Sequence, residues 1–61
     1  MRLEEGTEYG ILLSTDEWVR GVIEKVCILD RSIHVRLTTP AMFVNQLEIL
    51  NPHHIVKAVP R

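Results

Sequence analysis

The chain has 61 residues, 46% of them apolar but only three aromatic (Tyr9, Trp18 and Phe43), and a formal net charge of −1. That length holds one domain, taken as residues 1–61, and a domain so short buries only about 60% of the surface its unfolded chain exposes, so it leans on disulfides, a metal or partners. The single Cys27 excludes an internal disulfide and a multi-thiolate zinc site, and the near-neutral charge argues against coating nucleic acid non-specifically. Self-association is left as the readiest source of further burial.

No apolar run approaches the roughly 18 residues of a membrane-spanning helix, so no membrane partner is expected. Met1-Arg2-Leu3-Glu4-Glu5 lacks the apolar stretch of a signal peptide, and with a lone thiol the expected compartment is the cytoplasm. The same five residues would form at most a single helical turn, ended by Gly6. Tyr9 to Ser14 is the first strand, and Thr15-Asp16-Glu17 has the length and polarity of a hairpin loop. Trp18 to Leu29 follows as a long β-branched strand with Val19, Gly21 and Ile23 on one face. Its alternation slips near Lys25 and Val26, where a bulge would bend the strand. Gly21 inside it marks a bend or a close backbone approach.

Asp30-Arg31-Ser32 is the next turn, and Ser32 to Thr38 is the clearest strand, with Ile33, Val35 and Leu37 opposite Ser32, His34, Arg36 and Thr38. Thr39-Pro40 breaks it. Met42 to Leu50 reads as a strand with Phe43, Leu47 and Ile49 on one face, although Ala41 to Leu50 also scores as a short helix. Asn51-Pro52 is a turn dipeptide, and His54 to Val59 is a last strand stopped by Pro60. Short sequential strands of this kind close into a small, strongly bent barrel. Val22, Ile28, Val44, Leu50 and Val56 form a second apolar set opposite the core set, which identical neighbours would cover.

Three stretches carry a family resemblance. In Leu13 to Val26 (LSTDEWVRGVIEKV), Gly21, Ile23 and Glu24 fall where Hfq-like chains place Gly, Ile and often Glu. Ile33-His34-Val35-Arg36-Leu37 is similar to a strand in which His34 stands for an Asn. Asn51 to Pro60 (NPHHIVKAVP) matches at His53, Ile55, Val59 and Pro60. On these grounds the chain resembles the Sm-like superfamily, and the bacterial RNA chaperone Hfq branch of it. Cys27 replaces the usual acidic residue, Pro52 replaces a Lys, and about three residues are inserted between the first two motifs. The resemblance implies a five-stranded, Sm-like or SH3-like open barrel with its N-terminal helix absent or one turn long. It implies edge-to-edge rings, the fourth strand of one subunit pairing with the fifth of the next, here roughly five to seven chains. Such rings bind single-stranded, uridine-rich or adenine-rich RNA near the pore.

Under that resemblance the RNA-binding candidates are His53 first, then His34, Asn51 and Arg36, and the oligomer interface falls on Leu47, Ile49, Ile55 and Val56. His53 would stack on or bond to a base, and Arg36 would add a phosphate contact with Lys57. Each has a plainer role: His53 and His54 as turn residues, His34 as a solvent-facing strand residue, Arg36 as an ordinary surface charge. Adjacent His53 and His54 point to opposite faces of a strand and do not chelate one ion. Trp18 reads as partly buried packing and Cys27 as a buried, inert thiol. The acidic pairs Glu4-Glu5 and Asp16-Glu17 couple to no base or nucleophile, so neither catalysis nor a cofactor is expected. The expected function is non-catalytic RNA binding by a ring. The alternative is a protein-interaction or structural barrel, an oligomeric scaffold or a Tudor-like module, of phage or mobile-element origin.

Overall fold

A computed structural model describes residues 2–61 as five antiparallel strands in one sheet, ordered β4-β3-β2-β1-β5. The strands are β1 (Glu8–Leu13), β2 (Trp18–Cys27), β3 (Ser32–Thr39), β4 (Leu47–Leu50) and β5 (Ile55–Pro60), with short 3-10 turns at Ala41–Phe43 and Pro52–His54. The sheet bends around a single core of Tyr9, Ile11, Ile23, Ile33, Val35, Leu37, Leu50 and Ile55. The fold is therefore the small, all-β, barrel-like one that the alternating strands foretold.

The bend is made in β2. Its pairing with β3 shifts register twice, between Arg20 and Gly21 and between Ile23 and Lys25. The second shift leaves Glu24 without a ladder partner and carries the inward face from Ile23 to Val26, both packed against the core. This is the slip in alternation seen at Lys25 and Val26, and bulges of this kind turn a strand around a barrel. At Gly21 the chains come close: a Cβ there would lie 2.6 Å from both the Arg36 carbonyl oxygen and Val35 Cγ1. Only glycine fits.

Four expectations meet the structure as follows, the last three of them corrected. First, of an N-terminal helix absent or one turn long, the described residues show the absent form. Gly6 sits at φ 87° and donates to the Ile23 carbonyl at 2.8 Å, while the Glu5 carboxylate accepts from Val26 N–H at 3.0 Å, so this segment runs on along β2. Second, β2 stops at Cys27, not Leu29. Ile28 and Leu29 lie in a four-residue turn that closes with Arg31 at φ 53°. Third, Ala41 to Leu50 is neither one strand nor one helix. The 3-10 turn is followed by Asn45 at φ 68°, and only four residues reach β3. Fourth, the inward face of β4 is the other one: Leu50, paired with Ile33, is buried, whereas Leu47 and Ile49, opposite Arg36 and His34, are exposed. Cys27 is partly rather than fully buried.

The sheet has two free edges, β4 and β5, which do not pair with each other. Leu37 N–H donates to the Gln46 carbonyl at 2.9 Å. By the alternation of an antiparallel ladder, the main-chain groups of Leu47 and Ile49 then point away from β3. On the other edge, Arg61 N–H donates to the Glu8 carbonyl at 2.9 Å, so the facing pair Tyr9–Pro60 is of the non-hydrogen-bonded kind. The Pro60 nitrogen therefore lies on the open side of β5, where it costs the sheet no bond. The main-chain groups of Ala58, two residues earlier in the same register, share that open side, and a bulge opposite Leu12 and Leu13 leaves Val56 without a ladder partner.

Candidate nucleic-acid interface

Asn51 and His53 are brought together by the second 3-10 turn. Asn51 is extended at φ −90°, and its side-chain oxygen accepts from His53 N–H at 2.9 Å, with Pro52 at the first position of the turn. Asn caps and Pro at the first helical position are locally favoured, so this loop is fixed by three consecutive residues. The turn is tied to the barrel because Ser14 N–H donates to the His54 carbonyl at 2.8 Å. His53 and His54 are exposed, and neither side chain makes a hydrogen bond within the chain among the described residues. Asn51 thus acts through the main chain of His53.

His34 and Arg36 sit two apart on the outer face of β3. The His34 ring nitrogen Nε2 lies 3.3 Å from Ser32 Oγ, which donates to Asp30 Oδ1 at 2.7 Å. With the hydroxyl proton directed to Asp30, Nε2 carries the imidazole proton of that contact. The Arg36 guanidinium commits three of its five N–H donors within the chain. Nε and Nη2 form a forked pair with the two Glu24 oxygens at 2.7 and 3.0 Å, and Nη1 donates to the Asn45 carbonyl at 2.9 Å. Its charge is matched before any phosphate arrives. A second outer-face pair joins Arg20 to Glu8 at 2.9 Å, and Thr38 Oγ1 donates to the same Glu8 oxygen at 2.7 Å.

These contacts make three carboxyls more acidic than usual. The Thr38 hydroxyl, with Arg20, lowers Glu8; Arg36 lowers Glu24; and the Cys27 thiol, with Ser32, lowers Asp30. A carboxyl more acidic in the folded chain than in the unfolded one stabilises the fold fully above its ordinary value, 4.5 for Glu8 and Glu24 and 3.8 for Asp30. That stabilisation disappears as pH falls through the lowered folded values. The melting temperature is therefore expected to hold level from neutrality down to about pH 5 and to fall below it. Glu24→Gln should flatten the acid limb, as followed by circular dichroism melts, and an unchanged limb would show that the Glu24–Arg36 pair contributes nothing. All three groups face solvent, so added salt should shrink the effect.

Of the interface candidates, Leu47, Ile49 and Val56 are exposed on the two edge strands, as an edge contact needs. Ile55 is not available for one: it is buried in the core at the start of β5. Trp18 is 53% exposed, opposite Leu12 of β1.

Two features escape the sequence in whole or in part, Ile28 being expected on the outward apolar face of a strand rather than in a turn. One is the turn Ile28–Arg31, whose Ile28 and Leu29 are 86% and 98% exposed. The other is a groove of about 370 Å³ along the open seam between the β1–β2 turn and β4, with Leu13 and Leu50 among its apolar lining residues and Glu17 and Glu48 on its walls. It continues into a second depression of about 220 Å³ past Val19, Leu37 and Phe43, sharing Leu13 and both glutamates. An apolar pair placed directly before Asp-Arg was the available signal for the first. The second arises only on folding.

The fold and its edges define a class, the small bent β-barrel with an open seam and two unpaired edge strands. No protein-family model matches the chain, and no curated protein or solved structure does either.

Proposed function

We propose that this protein is an Sm-like, Hfq-related, non-catalytic RNA-binding protein that assembles with copies of itself through β4 and β5. The observation that carries the reading is the pair of free edges. One presents the outward main-chain groups of Leu47 and Ile49, the other those of Ala58, and Leu47, Ile49 and Val56 add exposed aliphatic side chains. Unpaired edges are a liability unless they are covered, and pairing β4 of one chain with β5 of the next covers both at once. Such a contact is head-to-tail and closes into a ring when its rotation permits.

In that ring the capped turn carries His53 on a rigid loop. A ring repeats this site once per subunit, so individually weak contacts to one flexible strand add through avidity. His34 is the second candidate. The engagement of Arg36 with Glu24 moves the expected contacts away from phosphate and toward bases. Binding should accordingly depend only weakly on salt for a nucleic-acid protein. The test is light scattering for native mass, followed by titration with single-stranded oligouridine and oligoadenine. His53→Ala is expected to weaken binding about tenfold, the loss of one stacking contact per site, and to leave the native mass unchanged. A 7.0 kDa monomer that binds neither oligonucleotide would overturn the reading.

A second reading is favoured by the groove. Its walls bear Glu17 and Glu48, and Leu13, Ile49 and Leu50 are set among polar lining residues, an arrangement suited to a basic polypeptide with apolar side chains rather than to RNA. In that case the chain is a protein-interaction barrel, and the oligonucleotide titrations would be flat.

A further inference from the structure

Two surfaces of this chain are left without partners, and they lie at opposite ends of β2. The Ile28–Arg31 turn follows its last residue, Cys27, whereas the Glu17–Glu48 groove opens beside its first, Trp18. Ten strand residues separate them, so the turn does not fold back into the groove of its own chain.

The turn is an apolar knob. Ile28 and Leu29 are almost wholly exposed, and aliphatic side chains so placed forgo the stabilisation that burial would give them. The turn's two charges are not equivalent. Asp30 is exposed but engaged within the chain, accepting from Ser32 Oγ at 2.7 Å. Arg31, held at φ 53°, makes no ion pair within the chain among the described residues. The knob therefore presents two aliphatic side chains followed by a cation, with Lys25 also exposed nearby on β2.

The groove is the complement. Leu13 and Leu50 are among its apolar lining, and Glu17 and Glu48 flank it, with no Lys or Arg among its lining residues. A cavity of about 150 Å³ holds a benzene-sized group, so the volume of about 370 Å³ leaves room for both aliphatic side chains. Apolar lining meets apolar tip, and the glutamates meet Arg31.

We propose that the Ile28–Arg31 turn of one chain seats in the Glu17–Glu48 groove of a second copy. This contact uses side chains at the two ends of β2 and leaves the main-chain edges of β4 and β5 untouched, so it stands independently of edge pairing. It joins unlike surfaces, and each added copy presents a fresh knob and a fresh groove. On its own it builds a chain of molecules unless the geometry closes. Combined with edge-paired rings it stacks one ring on another.

The test uses two full-length variants, each defective in one half of the contact. I28S/L29S removes the knob and keeps the groove. E17R/E48R inverts the groove walls and keeps the knob. All four positions are exposed, so both variants should retain the wild-type far-ultraviolet circular dichroism. Native mass is measured by light scattering across a hundredfold range of concentration. The wild type should be heavier than either variant, with self-association weakened about tenfold or more in each, as expected for the centre of an apolar contact. An equimolar mixture should restore a heavier species containing both chains, because each variant retains the half its partner lacks. One common mass for all three proteins overturns the proposal, whether that mass is a monomer or a ring. So does a mixture no heavier than its components. Binding of anionic phospholipid vesicles that requires Ile28 and Leu29, with self-association unaltered, would overturn it in favour of a lipid surface.

Discussion

Gly21→Val should melt roughly 4–24 °C below the wild type. The added Cβ would fall 2.6 Å from the Arg36 carbonyl oxygen, which belongs to the main chain of β3 and cannot rotate away. Overpacking of this kind costs about 1–3 kcal/mol and occasionally more. In so small a domain each kcal/mol lowers the melting temperature by roughly 4–8 °C. Gly10→Ala is the control. Its Cβ would meet only the Arg61 guanidinium, at 3.1 Å and 3.3 Å from Nε and Nη2, and that side chain is free to swing aside. A Gly21 variant as stable as the Gly10 variant would show that β2 and β3 do not approach so closely. Without that approach, β2 would have no reason to bend where it does.

Ile11→Ala is expected to have the largest effect in the molecule, about 2–5 kcal/mol, the range for emptying a fully buried aliphatic site. Ile11 has no exposed surface and sits in the middle strand of the β2-β1-β5 half of the sheet, between Val19 and Ala58. At 0.05–0.15 kcal/mol per residue, a domain of this length has only about 3–9 kcal/mol in total, so the variant approaches the unfolding threshold at ordinary temperature. Mass action adds a second readout. If copies associate only when folded, the melting temperature of the variant rises with protein concentration. Circular dichroism melts over a fiftyfold concentration range would register that, and a melting temperature within a few degrees of wild type would contradict the packing around Ile11.

The parts of the fold that were legible are those in which one strand settles its own phase. Ile33, Val35 and Leu37 alternate with polar residues over enough length that only one face can be buried, and all three are. The bulge in β2 was legible for the same reason, since the alternation changes parity between Ile23 and Val26. The region after Pro40 was not. A strand of four residues has too few positions to fix its phase. Which of Leu47, Ile49 and Leu50 turns inward is decided by the register with β3, where Leu50 meets Ile33. The end of β2 escaped for a different reason: Ile28 and Leu29 are as β-prone as the residues before them, and only the turn stops the strand.

The candidate site divides in the same way. The Asn51 cap and its proline are neighbours in sequence and could be read together. The state of Arg36 depends on Glu24, which stands twelve residues earlier and meets it only across two strands. Whether an arginine is available to a ligand is a property of its surroundings in the fold, and one-dimensional reading cannot supply it.

Pro60 gives the open side of β5 a finite length. A strand that adds to this edge finds a donor at Ala58 and none at Pro60, whose outward-facing nitrogen carries no hydrogen. The bulge beside Val56 breaks the regular alternation at the other end of β5, so the edge behaves as a short ruler with a stop at each end. A longer extended segment from an unfolded or foreign chain would gain nothing beyond that mark. The proline thus separates two kinds of growth that the same exposed edge would otherwise permit equally: a measured join between folded copies, and the indefinite recruitment of strands that ends in fibres.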